Sequence, residues 1–308
     1  MAPAMSGSAE ALPPPASKGM VFARRLGSSL VLWSVVVAAL FAPNRVLANA
    51  CFLVILLVLA WGGMREFYGL VEKRGMVCFK GWGIFGGLLL MASTFVYLSG
   101  MVRPHTLPSK ANDFETGFLV LFVLGLCVRQ FLSKTNPAGL LGISTTLLGL
   151  MYVPWLLNFV QKINFFPQVD GRFYLIYFIA VTKFSDMGAY GVGSLFGRHK
   201  LIPRISPGKT WEGFAGALCF SAGASVLLYV LAPGHLTGMT FGHALGLGLL
   251  LGAAAVLGDL IESLFKREAG VKDSGRLLPG IGGVLDLLDS LLFNAPLMYL
   301  YLRHVLTD

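Results

Sequence analysis

Charge is what this sequence has least of. Only 13% of its 308 residues are Asp, Glu, Lys or Arg, about half the roughly 25% of a soluble domain. That scarcity, beside a 56% hydrophobic content, excludes a water-soluble enzyme with one anchor. It points to a chain that crosses a bilayer repeatedly. Cysteine is sparse as well. The four, Cys51, Cys78, Cys127 and Cys219, form no CxxC pair, and three lie in apolar runs. They read as small core residues, not as a disulfide framework or a thiolate metal site. No internal repeat is present, and no stretch is long enough for a separate soluble domain. The net charge of +9 fits basic loops facing anionic lipid heads and does not call for nucleic acid.

Nine apolar runs approach the length that a bilayer core requires. They cover about 26–43, 46–63, 82–101, 116–132, 138–160, 173–193, 211–232, 239–258 and 283–302, the sixth and ninth being the least apolar. The expected fold is therefore all-α, a polytopic integral membrane bundle of about nine transmembrane helices. With the N-terminus in the cytoplasm, 17 Lys and Arg fall on inside segments and six on outside ones. That bias follows the positive-inside rule and puts the loops 194–210 and 259–282 on the cytoplasmic side. Residues 1–25 read as a disordered cytoplasmic N-terminus, 26–172 as N-terminal transmembrane helices, and 173–308 as a C-terminal catalytic transmembrane region. Lys18, Arg24 and Arg25 before the first run resemble a signal-peptide start, but no clear cleavage site follows, so an uncleaved anchor is expected. Gly, Ala and Ser alternate through 213–225 and 242–258, which predicts closely packed helices.

Against this background the stretch from Gly258 to Ser290 is crowded with charge. It carries Asp259, Glu262, Glu268, Asp273, Asp286 and Asp289, together with Lys266, Arg267, Lys272 and Arg276. On a helix, Asp259, Glu262, Ser263 and Lys266 share one face. An ordinary charged helix end with a Glu262–Lys266 pair would account for that face. Asp259, however, directly follows an apolar run, where a carboxylate is costly. Asp286 and Asp289 share a face at the start of the last span and repel each other unless a cation bridges them. Hard oxygen donors in that arrangement suit Mg²⁺, which also engages phosphates. Gly282 and Gly283 sit where a glycine-rich loop meets a helix N-terminus, a place where phosphate oxygens are well received.

A second group lies upstream. Lys183 and Asp186 fall inside a predicted span and face the bundle interior, where they could pair with each other. Ser206 to Gly213 reads as a loop entering a helix, with Lys209 and Thr210 placed to contact phosphate. Gly208-Lys209-Thr210 is not a P-loop, because Pro203 stands where the first glycine is required. Arg65, Glu66, Glu72, Lys73 and Arg74 read as solvated loop charge.

Taken together these strings resemble a known family. Ser263-Leu-Phe-Lys266-Arg267, then Lys272-Asp273-Ser-Gly275, then Leu278-Pro279-Gly280-x-Gly282-Gly283-Val-Leu-Asp286-x-x-Asp289-Ser290 is similar to the signature of phosphatidate cytidylyltransferase, also called CDP-diacylglycerol synthase. Asp186-x-Gly-Ala-Tyr190, Gly197-Arg198-His-Lys200 and Ser206-Pro-x-Lys209-Thr210-Trp-Glu212-Gly213 look like the same family. The resemblance is strong over about 183–290. It departs at Ile281, where the family has His, at Leu287, where it has Arg, and at Gly208, where Lys is common. Those changes remove possible phosphate contacts while keeping the carboxylates.

The resemblance implies transfer of a cytidylyl group from CTP to phosphatidic acid, giving CDP-diacylglycerol and pyrophosphate in phospholipid biosynthesis. It implies two Mg²⁺ ions, with Asp259, Asp286 and Asp289 as ligands. Asp259, Asp273, Asp286, Asp289 and Lys266 would be catalytic. Lys209, Thr210, Arg267, Lys272, Asp186, Gly282 and Gly283 would bind substrate. Partners would be CTP, phosphatidic acid and the bilayer, with no nucleic acid and with homodimerisation left open. The expected location is a bacterial cytoplasmic membrane, the site facing the cytoplasm. Two alternatives stand beside it: a paralogue acting on another lipid phosphate or nucleotide, and a cation-coupled transporter using Asp186, Asp259 and Asp286. The Asp-Gly-x-x-Ala-Arg core of CDP-alcohol phosphotransferases is absent.

Overall fold

A computed structural model describes residues 38, 40–100, 108–133, 138–275 and 282–307. The predicted first span, 26–43, and the N-terminal segment 1–25 lie outside these residues, apart from 38 and 40–43. So do Arg276 and Ile281. Helices dominate what remains: α1 (Arg45–Lys73), α2 (Lys80–Leu98), α3 (Pro108–Leu132), α4 (Gly139–Leu150), α5 (Leu156–Asn164), α6 (Gly171–Phe196), α7 (Trp211–Leu231), α8 (Phe241–Glu268) and α9 (Val284–Tyr301). A π-helical turn, Met151–Trp155, joins α4 to α5. Its Pro154 has no N–H to give, which accounts for the local break in the ladder. Seven of these rods, with α4 to α5 counted as one, are long and apolar enough to cross a membrane. The protein is an integral membrane helical bundle. Helix α6 matches the predicted sixth span in position but is not among the seven; Lys183 and Asp186 interrupt its apolar surface.

Polar side chains start the helices where the sequence changes character. Asn44 Oδ1 accepts from the Val46 and Leu47 amides at the head of α1, at 2.9 and 3.3 Å. Thr210 caps α7 through Gly213 N–H, and Thr240 caps α8 through His243 N–H. Each satisfies an N–H that the helix itself leaves without an acceptor. Small residues then bring the rods together as their alternation predicts. A Cβ added at Gly248 would lie 2.7 Å from Ala222 Cα, so α7 and α8 touch backbone to backbone at this point. Outward-facing positions carry large apolar groups such as Phe131, 87% exposed, which hydrocarbon solvates and water would not.

The segment between α6 and α7 is not a plain loop. Lys200–Ile202 (β1) and Ser206–Thr210 (β2) pair as an antiparallel hairpin, with Lys200 opposite Thr210 and Ile202 opposite Ser206. Neither strand has an alternating apolar face, so sequence pattern alone does not announce it. Side chains outside the strands hold it. Glu212 accepts from the Arg198 and His199 amides and pairs with His199 Nδ1 at 2.6 Å. Arg267 Nε donates to the Ile205 carbonyl at 3.2 Å.

One ion pair is buried well away from these loops. Lys162 Nζ on α5 lies 2.5 Å from Glu115 Oε2 on α3, and Asn158 Nδ2 donates to Glu115 Oε1 at 3.2 Å. Removing one partner leaves the other charge buried and alone, which costs about 3–5 kcal/mol. Glu115→Leu is therefore expected to lower thermal stability in detergent strongly, and Glu115→Leu with Lys162→Met to recover most of the loss. A single variant as stable as the parent would show that the pair carries no such weight.

Candidate active site

A cavity of about 530 Å³ opens between the hairpin and helices α6, α7, α8 and α9, within the size range of small-ligand sites. Helix α6 contributes Asp186, Tyr190 and Gly193. The hairpin contributes Ser206, Gly208, Lys209 and Thr210, α8 contributes Val256 and Asp259, and α9 contributes Asp286 and Asp289. Six of the residues expected from sequence thus meet on one wall system: Asp186, Lys209, Thr210, Asp259, Asp286 and Asp289.

Each carboxylate has a distinct environment. Asp259 pairs with Lys209 Nζ at 2.8 Å and accepts from Ser263 Oγ at 3.3 Å. Asp186 pairs with Lys183 at 3.1 Å, the simple internal pair that the sequence allows, and accepts from Ser290 Oγ. Lys183 also donates to the Leu287 carbonyl at 3.3 Å. Asp289 is 8% exposed and accepts from the Ser290 amide at 2.5 Å. Asp286 is the most heavily engaged. Its Oδ1 accepts from Lys266 Nζ at 2.6 Å, and its Oδ2 from Ser274 Oγ at 2.9 Å and Gly283 N–H at 2.8 Å. It therefore caps its own helix while facing the cavity.

Glu262 joins this group from behind. It is 0% exposed; Oε2 accepts from Lys266 at 2.7 Å, while Oε1 is buried with no hydrogen-bond partner among the described residues. One oxygen each from Asp259, Glu262 and Asp289 lie within 4.8 Å of one another. A buried carboxylate oxygen without a donor, next to two further carboxylates, is a fit for a hard divalent cation. The charge count agrees. Five carboxylates (Asp186, Asp259, Glu262, Asp286, Asp289) face three ammonium groups (Lys183, Lys209, Lys266). Fully ionised, they leave an excess of two negative charges, which one divalent ion would neutralise.

The remaining expected residues sit differently. Lys266 stands behind the wall, bridging Glu262 and Asp286. Arg267 is turned to the hairpin. Lys272 and Asp273 are exposed and are not among the cavity-lining residues. Gly282 has φ 115°, which favours glycine, and a Cβ there would meet Asp286 Oδ2 at 2.8 Å. Gly283 donates its N–H to Asp286. Two residues escape a reading of the sequence. Glu262 was visible on the Asp259 face but reads there as a simple Lys266 partner. Glu66 reads as solvated charge, yet it is half-buried and accepts from the Val284 and Leu285 amides; no local signal could have found it.

Comparison with known proteins bears on the chain as a whole. The model of the cytidylyltransferase family matches residues 23–305. An uncharacterized protein, YnbB, of Escherichia coli K12 is 38% identical over 200 residues, covering 63% of this chain and 65% of its own; the chain thus spans slightly less than two thirds of that relative. A phosphatidate cytidylyltransferase of Synechocystis is 32% identical over 298 residues, 88% of this chain and 94% of that protein. One of Staphylococcus saprophyticus is 32% identical over 250 residues, 81% of this chain and 91% of that protein.

Proposed function

The chain belongs to the cytidylyltransferase family, and from that premise we propose that it transfers a cytidylyl group from CTP to phosphatidic acid, releasing pyrophosphate and leaving CDP-diacylglycerol in the membrane. The observation that carries this reading is the single cavity where Asp259, Asp286 and Asp289 meet Lys209 at the ends of membrane-crossing helices. An acidic wall facing an anionic nucleotide makes sense only with cations between them.

In the reaction an oxygen of the phosphatidate phosphate attacks the α-phosphorus of CTP. A new P–O bond forms to the cytidylyl group, the α–β bridging P–O bond breaks, and pyrophosphate leaves with the electron pair. The attacking phosphate is already ionised near neutral pH, so no strong general base is needed. The chain must hold two anions together and offset charge on the leaving group. We assign Asp259, Glu262 and Asp289 as the donors for Mg²⁺, with Asp286 and Asp186 in the same cavity as donors for a second ion. When bound, Mg²⁺ supplies neutralisation of the triphosphate and of the departing pyrophosphate. Lys209, on the hairpin, takes a phosphate oxygen in exchange for part of its pairing with Asp259. Thr210 lines the cavity at the N-terminus of α7, where the positive end of the helix dipole favours the same anion. Lys266 keeps Glu262 and Asp286 oriented. Arg267, Lys272 and Asp273 form an outer ring that adds to the local field without touching the reacting atoms. The lipid enters sideways between helices and keeps its chains in the bilayer.

The same proposal includes nine spans, a cytoplasmic N-terminus and a cytoplasmic site in a bacterial inner membrane, supported by the 17 to six distribution of Lys and Arg. It treats 173–308 as the catalytic region.

The test uses purified protein in phosphatidate-containing mixed micelles with labelled CTP. CDP-diacylglycerol and pyrophosphate are expected in equal amounts, and excess EDTA is expected to reduce both to background. Failure to form the lipid product with Mg²⁺ present would sink the reading. Preference for another nucleotide or lipid phosphate would favour a paralogue of altered substrate range.

A further inference from the structure

Glu66 belongs to α1, far from the charged stretch in sequence, yet its carboxylate reaches the first turn of α9. Oε1 accepts from Val284 N–H at 3.0 Å, and Oε2 from Leu285 N–H at 2.8 Å and Ser274 Oγ at 3.1 Å. The opening amides of a helix have no acceptor within it. At α9 the Gly283 amide is taken by Asp286, and the next two are taken by a residue 218 and 219 positions away. The surrounding backbone is cut to admit this side chain. A Cβ at Gly275 would fall on Glu66 Oε1, and one at Gly283 on Glu66 Oε2 and Ser274 Oγ. Helix α1 approaches so closely that a Cβ at Gly62 would lie 2.8 Å from Val284 Cγ2. Ser274 ties the two carboxylates together, since its hydroxyl lies within hydrogen-bond distance of both Glu66 and Asp286.

We propose that Glu66 is a positioning residue for the cavity. It fixes the rotation and depth of the first turn of α9, and so the placement of Asp286 and Asp289. It also clamps Ser274 against that first turn. Glu66 does not line the cavity and acts through the residues it holds. Its kinetic consequence rests on the cytidylyl-transfer reading; its structural consequence does not.

Glu66→Gln tests this with little change of shape. The amide keeps one acceptor oxygen where three donors converge, and turns an NH₂ group towards a backbone N–H. A small displacement of reacting groups can cost up to about 100-fold in rate. Expected for Glu66→Gln are a kcat lower by about 10- to 100-fold, a KM for CTP within about two-fold, and a higher Mg²⁺ concentration for half-maximal rate. Glu66→Asp, which keeps the charge, is expected to fall between the two. Limited trypsin digestion followed by mass spectrometry gives the second readout. Cleavage after Lys272 is expected to rise several-fold relative to cleavage after Arg204, with the thermal midpoint of the whole protein little changed. Wild-type kcat together with an unchanged cleavage ratio would overturn the proposal. So would a fall in kcat that only tracks loss of folded protein. If the parent protein makes no CDP-diacylglycerol, the catalytic reading fails and the cleavage ratio alone decides: unchanged, it overturns Glu66 as the clamp.

Discussion

Asp259→Ala is expected to lower CDP-diacylglycerol formation by about 10³-fold or more while the protein remains folded, because it removes both a donor of the proposed cation site and the partner of Lys209. Asp259 is the most accessible member of the Asp259, Glu262, Asp289 group, so its loss costs the bundle little in packing. Its carboxylate stands opposite Lys209 at 2.8 Å. Without it, the Lys209 ammonium keeps, among the described residues, the Val256 carbonyl at 3.3 Å and is drawn further towards phosphate. CTP binding is therefore expected to weaken less than kcat. The check is a comparison of kcat, KM and the Mg²⁺ requirement with those of the parent in the same micelles. More than a tenth of the parental rate would remove Asp259 from the metal site.

The second large effect is on folding. Lys266 Nζ lies 2.7 Å from Glu262 and 2.6 Å from Asp286, and both lysine and glutamate are buried. Lys266→Met leaves two carboxylates facing each other with no cation between them. Breaking such a site costs about 3–5 kcal/mol, a large share of the roughly 5–15 kcal/mol that keeps a typical protein folded. The variant is expected to unfold well below the parent in a detergent thermal scan. Adding Glu262→Gln removes one of the stranded charges and is expected to restore much of the stability. It is not expected to restore activity, since Glu262 is also a donor in the proposed metal site. Recovery of both would mean that Glu262 and Lys266 serve only each other.

The carboxylates of this site were legible because they interrupt apolar runs. A carboxylate is costly at a membrane boundary, so Asp259, Asp286 and Asp289 each invite a functional explanation, although Asp286 also caps its own helix. Helix positions were legible for the same reason, and the shared face of Asp259, Glu262, Ser263 and Lys266 already reads as a helix end, but hydropathy alone does not give helix lengths. The apolar run that predicts α8 ends at residue 258, whereas the helix continues to Glu268. Hydropathy reports where hydrocarbon ends, while Leu, Glu, Lys and Arg extend a helix readily into water. The hairpin at 200–210 was hidden because Glu212 and Arg267 hold it, not an alternating pattern of its own. Glu66 was hidden more deeply. Beside Arg65, at the end of an apolar run, it is indistinguishable from any interfacial charge, and its partners Ser274, Val284 and Leu285 lie more than 200 residues away. Lys272 and Asp273 show the converse: specific in sequence, yet exposed outside the cavity.

The polar strip on α6 has a consequence for how the chain is made. Insertion of Lys or Asp at the centre of a membrane helix costs about 2.5–3.5 kcal/mol each, and in the proposed nine-span arrangement α6 is such a helix, with Lys183 and Asp186 one turn apart. Part of their compensation is local, through their own ion pair. The rest comes from α9: Ser290 donates to Asp186, and the Leu287 carbonyl and Ser290 accept from Lys183, 104 to 107 residues later. Deeper in the bundle, Asn294 of α9 donates to Thr182. A ribosome making about 5–20 residues per second therefore releases α6 several seconds before its partners exist. During that interval α6 has no complete home in the bilayer. Its settling into the bundle, and with it the cavity, awaits the synthesis of α9.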